Sequence, residues 1–286
     1  MKFGIALPNF GKFADKNKIE TIAIKAEALG FDSLWVSDHI ILPNDHQGFG
    51  KTFFEPLTTL SFIASKTKNI SLGTSVIILP YRNPFILAKM ISTLDTLSNG
   101  RIILGVGVGW LKKEFEALGI PFDERENISN ENIKILIDLF SNDNHDFKGD
   151  YYKFSDISFF PKTSQRPHPP IWFGGNSNSS LTKAIEFGAG WHPVGLTPEE
   201  IKGKLIKNEI DKDFSISVRK NLQITKNKIT DEKEILRGSI DKITEGIKNY
   251  KDVGLCHIVF QILSSDFKGI LTTMDIISRT NLKDKV

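Results

Sequence analysis

The chain is poor in cysteine, poor in net charge and free of long apolar runs. Cys256 is the single cysteine in 286 residues, which excludes an intrachain disulfide and any multi-cysteine metal site. Lys and Arg total 37 against 34 Asp and Glu, a net charge of +3. That excess is too small for a nucleic-acid footprint. The basic residues are also interleaved with acids, as in Lys202-Gly-Lys204 ahead of Glu209, Asp211 and Asp213, the pattern of a solvated face. No stretch approaches the ~18 apolar residues of a membrane helix. The opening Met1-Lys-Phe-Gly-Ile-Ala-Leu-Pro8 breaks at a proline before it reaches signal-peptide length. A cytoplasmic protein with neither a nucleic-acid nor a membrane partner is therefore expected.

What the sequence does have is alternation. Short apolar runs (Phe3–Leu7, Leu34–Val36, Ile70–Leu79, Ile102–Val108, Ile171–Phe173, Trp191–Val194, Phe214–Ile224, Ile258–Leu263) are each followed by a segment of helical period. Strands buried on both faces suit a parallel sheet. Eight strand-then-helix units in a chain of this length point to an α/β fold, a (β/α)8 TIM barrel spanning residues 1–286 as one domain. An open doubly wound sheet is the alternative, because periodicity does not report closure. Residues 141–169 break the rhythm and predict an insertion between strands 4 and 5. Within it Tyr151–Phe154 and Ile157–Phe160 read as a hairpin turning at Ser155-Asp156, ahead of a proline-rich connector.

In a barrel, chemistry collects where strands end. The second strand ends in Ser37-Asp38-His39. A rim histidine can exchange a proton near neutral pH, and an adjacent carboxylate can hold its tautomer; the plain alternative is an ordinary loop histidine. No metal site is expected, since no second His or Cys stands at ligand spacing. Polar Thr74 and Ser75 interrupt the third strand, either as small residues filling the barrel or as contacts to a flat cofactor. The fourth strand ends in Gly105-Val-Gly-Val-Gly109-Trp110, glycines that allow close backbone approach. A dinucleotide fingerprint would need glycine where Trp110 stands. Gly174-Gly175-Asn176-Ser177 precedes a helix, which makes it either a capped turn or an anion site on a positive helix end. His192 reads as a satisfied structural histidine.

Several runs together are similar to the luciferase-like (bacterial luciferase-type) monooxygenase family. They are Phe31-Asp-Ser-Leu-Trp-Val-Ser-Asp-His39, Leu79-Pro-Tyr-Arg-Asn-Pro84, Leu94-Asp-Thr-Leu-Ser-Asn-Gly-Arg101, Gly105–Trp110 and Pro169-Pro-Ile-Trp-Phe-Gly-Gly-Asn176. Their order most resembles the branch of deazaflavin (coenzyme F-420)-dependent oxidoreductases. The resemblance covers about residues 1 to 200. It implies that His39 faces the reactive ring with Asp38 beside it. It implies that Thr74, Ser75 and Val76 meet the ring across a non-proline cis peptide at Ser75-Val76. It further implies that Gly107, Val108, Gly109 and Trp110 pack on the ring or its side chain, and that Gly174, Gly175, Asn176 and Ser177 bind the phosphate. The implied reaction is hydride transfer to or from a small organic substrate. Two alternatives stay open, an FMN-dependent monooxygenase served by a partner reductase and a flavin-binding barrel without catalysis. The resemblance also implies a homodimer. The loop carrying Asp45, His46 and Gln47 is expected to form part of a lid.

Overall fold

A computed structural model describes residues 1–44, 50–208, 210–211, 213–225 and 235–280. The lid expectation for Asp45, His46 and Gln47 lies outside the described residues. In chain order the first half contains β1 (Lys2–Ala6), α1 (Lys16–Ala28), β2 (Ser33–Val36), α2 (Pro56–Ala64), β3 (Ser71–Thr74), β4 (Ile77–Ile78), α3 (Pro84–Leu97), β5 (Ile102–Gly107), α4 (Lys112–Ala117) and α5 (Arg125–Ser141). The second half contains β6 (His145–Lys148), β7 (Lys153–Ile157), β8 (Ile171–Gly174), α6 (Asn178–Phe187), β9 (Gly190–His192), α7 (Pro198–Leu205), β10 (Ser215–Ile224), β11 (Ile235–Gly238), α8 (Ile240–Asp252), β12 (His257–Ile262) and α9 (Phe267–Arg279).

Among the described residues eight parallel strands close a ring in the order β1-β2-β3-β5-β8-β9-β10-β12, and β12 pairs back to β1. The chain is thus a (β/α)8 barrel, and the open-sheet alternative is excluded by that last pairing. The helices start where local chemistry tells them to. Pro56, Pro84 and Pro198 occupy first-turn positions, while Asp15, Asn83, Ser177 and Ser239 accept backbone N–H groups as N-caps. Thr197 and Glu200 form a reciprocal capping box.

Aromatic rings plug the barrel interior. Trp35 and Trp172 stack with centroids 5.3 Å apart, His192 stacks on Trp35 at 4.9 Å, and His257 meets both indoles edge-on. Room for Trp35 comes from Gly73, where a Cβ would fall 2.4 Å from the indole. Ser33 Oγ accepts from Trp35 Nε1 at 2.7 Å and contacts His257 Nε2 at 2.7 Å, so the polar edges of Trp35 and His257 meet inside the plug, whereas the buried Trp172 Nε1 has no acceptor among the described residues.

Three sequence expectations shift. The apolar run Ile70–Leu79 is divided into β3 and β4 by a cis Ser75-Val76 peptide, the bond the family resemblance implies. The hairpin sits earlier than its composition suggested: β6 pairs antiparallel with β7, and the turn is 149–152 instead of Ser155-Asp156. Its cause is Glu131, whose carboxylate accepts the N–H groups of Asp150, Tyr151 and Tyr152 at 2.6–3.2 Å. Phe147 stacking on Phe154 then fixes the register. Thirdly, β11 adds a short parallel strand against the upper half of β10, an element absent from the periodicity reading.

The lower rim is tied by side chains reaching backbone. Arg101 donates to the carbonyls of Ala64, Thr67, Ile70 and Ser98. Glu27 accepts from the N–H groups of Lys68, Asn69 and Ile70 at 2.7–3.1 Å. Burial alone would raise the Glu27 pKa, but those three donors and the Arg101 charge lower it below its ordinary 4.5. A carboxylate depressed in the folded state contributes stability above its unfolded pKa, and that contribution is lost as pH falls through the folded value. Glu27→Gln is therefore expected to lower the Tm at pH 7, with a penalty that shrinks as the pH is lowered below the ordinary carboxylate value. A penalty that does not change with pH would show that the carboxylate charge is not what matters.

Candidate active site at the carboxyl-terminal rim

His39 follows β2 and is 7% exposed. Its Nδ1 lies 2.6 Å from Oε2 of Glu114, a residue of α4 that is fully buried. The other Glu114 oxygen accepts the N–H groups of Ile40 and Ile41, and Tyr81 donates its hydroxyl to Oε2 at 2.9 Å. Burial on its own would raise the Glu114 carboxyl. The His39 hydrogen bond and the two backbone donors outweigh it and hold the group below the usual carboxylate range. An ionised Glu114 can only accept, so Nδ1 of His39 carries the proton in this pair. Burial, with the Glu114 charge beside it, pushes the Tyr81 hydroxyl well up, so it stays a donor.

Asp38 was expected beside His39 as its helper. It turns the other way and is clamped by Arg82, with Nη1 to Oδ2 at 2.6 Å and Nη2 to Oδ1 at 2.9 Å; it also accepts the Ile78 N–H at 2.9 Å. Arg82 Nη2 reaches Glu55 as well, at 2.9 Å. Burial alone would lower the Arg82 pKa, but its two carboxylate partners raise it, so the guanidinium stays charged. Asp38 thus ties the end of β2 to β4 and to the turn before α3, while the tautomer-fixing role falls to Glu114.

The other candidate residues fall into two groups. Thr74 Oγ1 donates to the Gly105 carbonyl at 2.7 Å, and Ser75 Oγ contacts Nε2 of His192 at 2.9 Å. His192 also reaches Ser217 Oγ. Burial, then the neighbouring His257 and Arg219, lowers His192 to about 3, so it is neutral and structural as the sequence suggested. Gly107 and Gly174 give room to Val76: a Cβ on either would stand 2.6–2.7 Å from a Val76 methyl. Those glycines therefore admit a side chain of this chain. Gly109 packs under Ile78 and Phe115, and Trp110 projects outward, 57% exposed, its ring edge-to-face with His39 at 6.0 Å. Phe53 closes on His39 from another direction at 5.4 Å.

Gly174, Gly175 and Ser177 line a shallow cleft together with Gly107, Val108, Phe173 and Lys183. Ser177 caps α6 by accepting the Ser180 N–H at 3.1 Å, so the positive end of the helix faces the cleft region. Asn176 is turned to the protein instead, its amide exchanging two hydrogen bonds with the backbone of Val194. A second groove shares Asn130, Ser179 and Lys183 with this cleft and extends to Lys134.

Glu114, Arg82 and Tyr81 were not singled out from the sequence. Glu114 sits in Lys112-Lys-Glu-Phe-Glu116, which reads as a solvated helix face. Only the Tyr-Arg pair within Leu79–Pro84 gave a signal, as part of the family pattern.

The luciferase-like monooxygenase family pattern matches residues 1–209. An F420-dependent glucose-6-phosphate dehydrogenase from Amycolatopsis mediterranei is 38% identical over 164 residues, 56% of this chain and 47% of that one. An FMNH(2)-dependent dimethylsulfone monooxygenase from Pseudomonas putida is 34% identical over 154 residues, 53% of this chain and 42% of that one. The match thus spans less than half of each relative. In three dimensions the monooxygenase RslO1 from Streptomyces bottropensis superposes with a TM-score of 0.84 at 21% identity, covering 100% of both chains. With a family match over residues 1–209 of 286, the chain belongs to the luciferase-like monooxygenase family.

Proposed function

We propose that the protein is an oxidoreductase that moves a hydride between a small organic substrate and a deazaflavin, coenzyme F-420, held at the carboxyl-terminal rim. The observation that carries this reading is the His39–Glu114 pair, an imidazole of fixed tautomer at the rim of a barrel whose relatives use flavins or deazaflavins. Val76, backed by Gly107 and Gly174, would support the ring, with Thr74 and Ser75 holding that segment in place. Gly174, Gly175 and Ser177 would hold the phosphate at the α6 end. Lys134 and Lys183 border the adjoining groove, with Lys183 paired to Glu126 and with Glu186 in the same lining. When bound, the deazaflavin supplies two-electron hydride chemistry and lacks the ring nitrogen through which reduced flavin reacts with dioxygen. His39 Nε2 takes or gives the proton that accompanies substrate oxidation or reduction, and Glu114 stabilises the imidazolium when it forms. Phe53 and Trp110 restrict water around the imidazole.

FMN is the second reading, favoured by the dimethylsulfone monooxygenase relative. It would need a reductase partner, whereas the deazaflavin reading would not. Turnover measured with and without dioxygen separates the two: independence of dioxygen is expected, and a strict requirement for it would replace hydride transfer by oxygenation. The phosphate site has its own test. Ser177→Asp keeps a good N-cap and adds a negative charge, and is expected to weaken cofactor binding about tenfold or more with little change in Tm. Unchanged affinity would move the phosphate elsewhere.

A further inference from the structure

We propose that Arg219 anchors a carboxylate of the substrate, whose apolar body lies against Phe10. The inference rests on the redox reading of the rim and adds the substrate class to it.

Arg219 is a half-buried residue of β10. Its Nη1 donates to Ser37 Oγ at 2.6 Å and to the Ser75 carbonyl at 3.2 Å, and its Nη2 donates to Gln261 Oε1. All three acceptors are neutral. Arg82 offers the contrast, with Asp38 and Glu55 both in contact. Among the described residues no carboxylate lies within ion-pair distance of Arg219, and two of its five N–H groups have no acceptor. Burial lowers this guanidinium to about 10, with no neighbouring anion to raise it. Withdrawing a cation from water without a counter-charge is costly, and a ligand that brings the anion would relieve that cost.

The position suits a substrate anchor. Ser37 immediately precedes Asp38-His39, and Ser75 begins the cis peptide segment, so Arg219 touches both strand ends of the candidate site. Phe10 lies 5.9 Å from the guanidinium carbon. It stacks on Phe53 at 5.1 Å, and Phe53 meets His39 at 5.4 Å. An aromatic surface therefore runs from the guanidinium to the imidazole. Phe10 and Gln261 also wall an open cleft completed by Lys12, Phe13, Leu263 and Ser264, with no acidic residue in its lining. Its largely apolar lining suits the hydrocarbon body of a small molecule. A lone guanidinium with two remaining donors matches one carboxylate in a planar pair.

The test is calorimetric titration with phenylacetate, 3-phenylpropionate and hexanoate, each against its own amide, in wild type, Arg219→Met and Arg219→Lys. Each is run with and without bound cofactor, and cofactor affinity is measured separately by tryptophan quenching. At least one acid is expected to bind about tenfold or more tightly than its amide, the margin of a charge-assisted hydrogen bond. Arg219→Met should erase that margin while amide and cofactor affinities change less than about twofold, and Arg219→Lys should restore part of it. No acid preferred over its amide, or a preference that survives Arg219→Met, would overturn the proposal. So would parallel loss of acid, amide and cofactor binding, which would make Arg219 a strut between strand ends. Failure of both cofactors to bind while the acid preference persists would count against the redox reading alone.

Discussion

Replacing His39 with alanine is expected to lower turnover on the order of 10²–10⁴-fold, the usual contribution of a positioned acid or base. Cofactor affinity should hold within a fewfold. The split matters because His39 is packed as well as placed: Phe53 and Trp110 both touch its ring. A role confined to packing would weaken binding and Tm together and leave turnover of the bound complex nearly intact. Glu114→Gln refines the result. Glutamine keeps one oxygen for the Ile40 and Ile41 N–H groups, so the loop should hold, but its NH2 then faces Nδ1 and can only donate, which reverses the imidazole tautomer and removes the charge that stabilises an imidazolium. A loss of turnover with little change in Tm is expected, smaller than that of His39→Ala. Equal activity in Glu114→Gln and wild type would show that Glu114 only braces the loop.

The second large effect concerns the ion pair beneath that site. Asp38 has no exposed side-chain surface, and Arg82 retains 11%. Arg82→Leu leaves an uncompensated buried carboxylate, and breaking such a pair costs about 3–5 kcal/mol. Because Asp38 also receives the Ile78 N–H and precedes His39 in the chain, activity should fall with stability. The double variant Arg82→Leu with Asp38→Leu is expected to regain part of the lost stability, since the fully buried charge is removed and only the partly exposed Glu55 loses its partner. Urea unfolding of the two single variants and the double variant closes the cycle. Simple additivity would mean that the pair is not coupled as its geometry implies.

Much of the fold was legible because a closed parallel sheet leaves a strong trace. Its strands are buried on both faces and read as short apolar runs, and most helices between them, α4 and α5 excepted, declare their start through a proline or a polar cap. The hairpin was misplaced because its turn is made by Glu131, more than a dozen residues upstream, a long-range contact that local composition does not encode. The short strand β11 escaped because its partner is the upper half of β10, which no periodicity reveals.

The candidate site was legible in outline. Ser37-Asp38-His39 at a strand end drew notice on chemistry alone, yet the proximity of Asp38 in sequence suggested the wrong partner. Adjacent residues on an extended segment point in different directions, and Glu114 arrives from a helix 75 residues later. The glycines ending β5 and β8 were read as room for a ligand; at Gly107 and Gly174 the space a Cβ would take is used by Val76, while both residues also line the cleft. Arg219 was invisible because it interrupts an apolar strand without any motif around it. Leu94–Arg101 gave the reverse lesson. Arg101 spends its guanidinium on backbone carbonyls at the far end of the barrel, so a recognisable family run there is a structural tie.

The central claim is that this rim holds a deazaflavin or flavin. Titrating the purified protein with coenzyme F-420 and, separately, with FMN, while following tryptophan emission, tests it directly, because Trp110 stands exposed beside His39. Saturable quenching by the deazaflavin at micromolar concentration, weaker with FMN and diminished in Ser177→Asp, is the expected result. Preference for FMN would support the oxygenating reading, and no saturable quenching by either cofactor would contradict the account of the site.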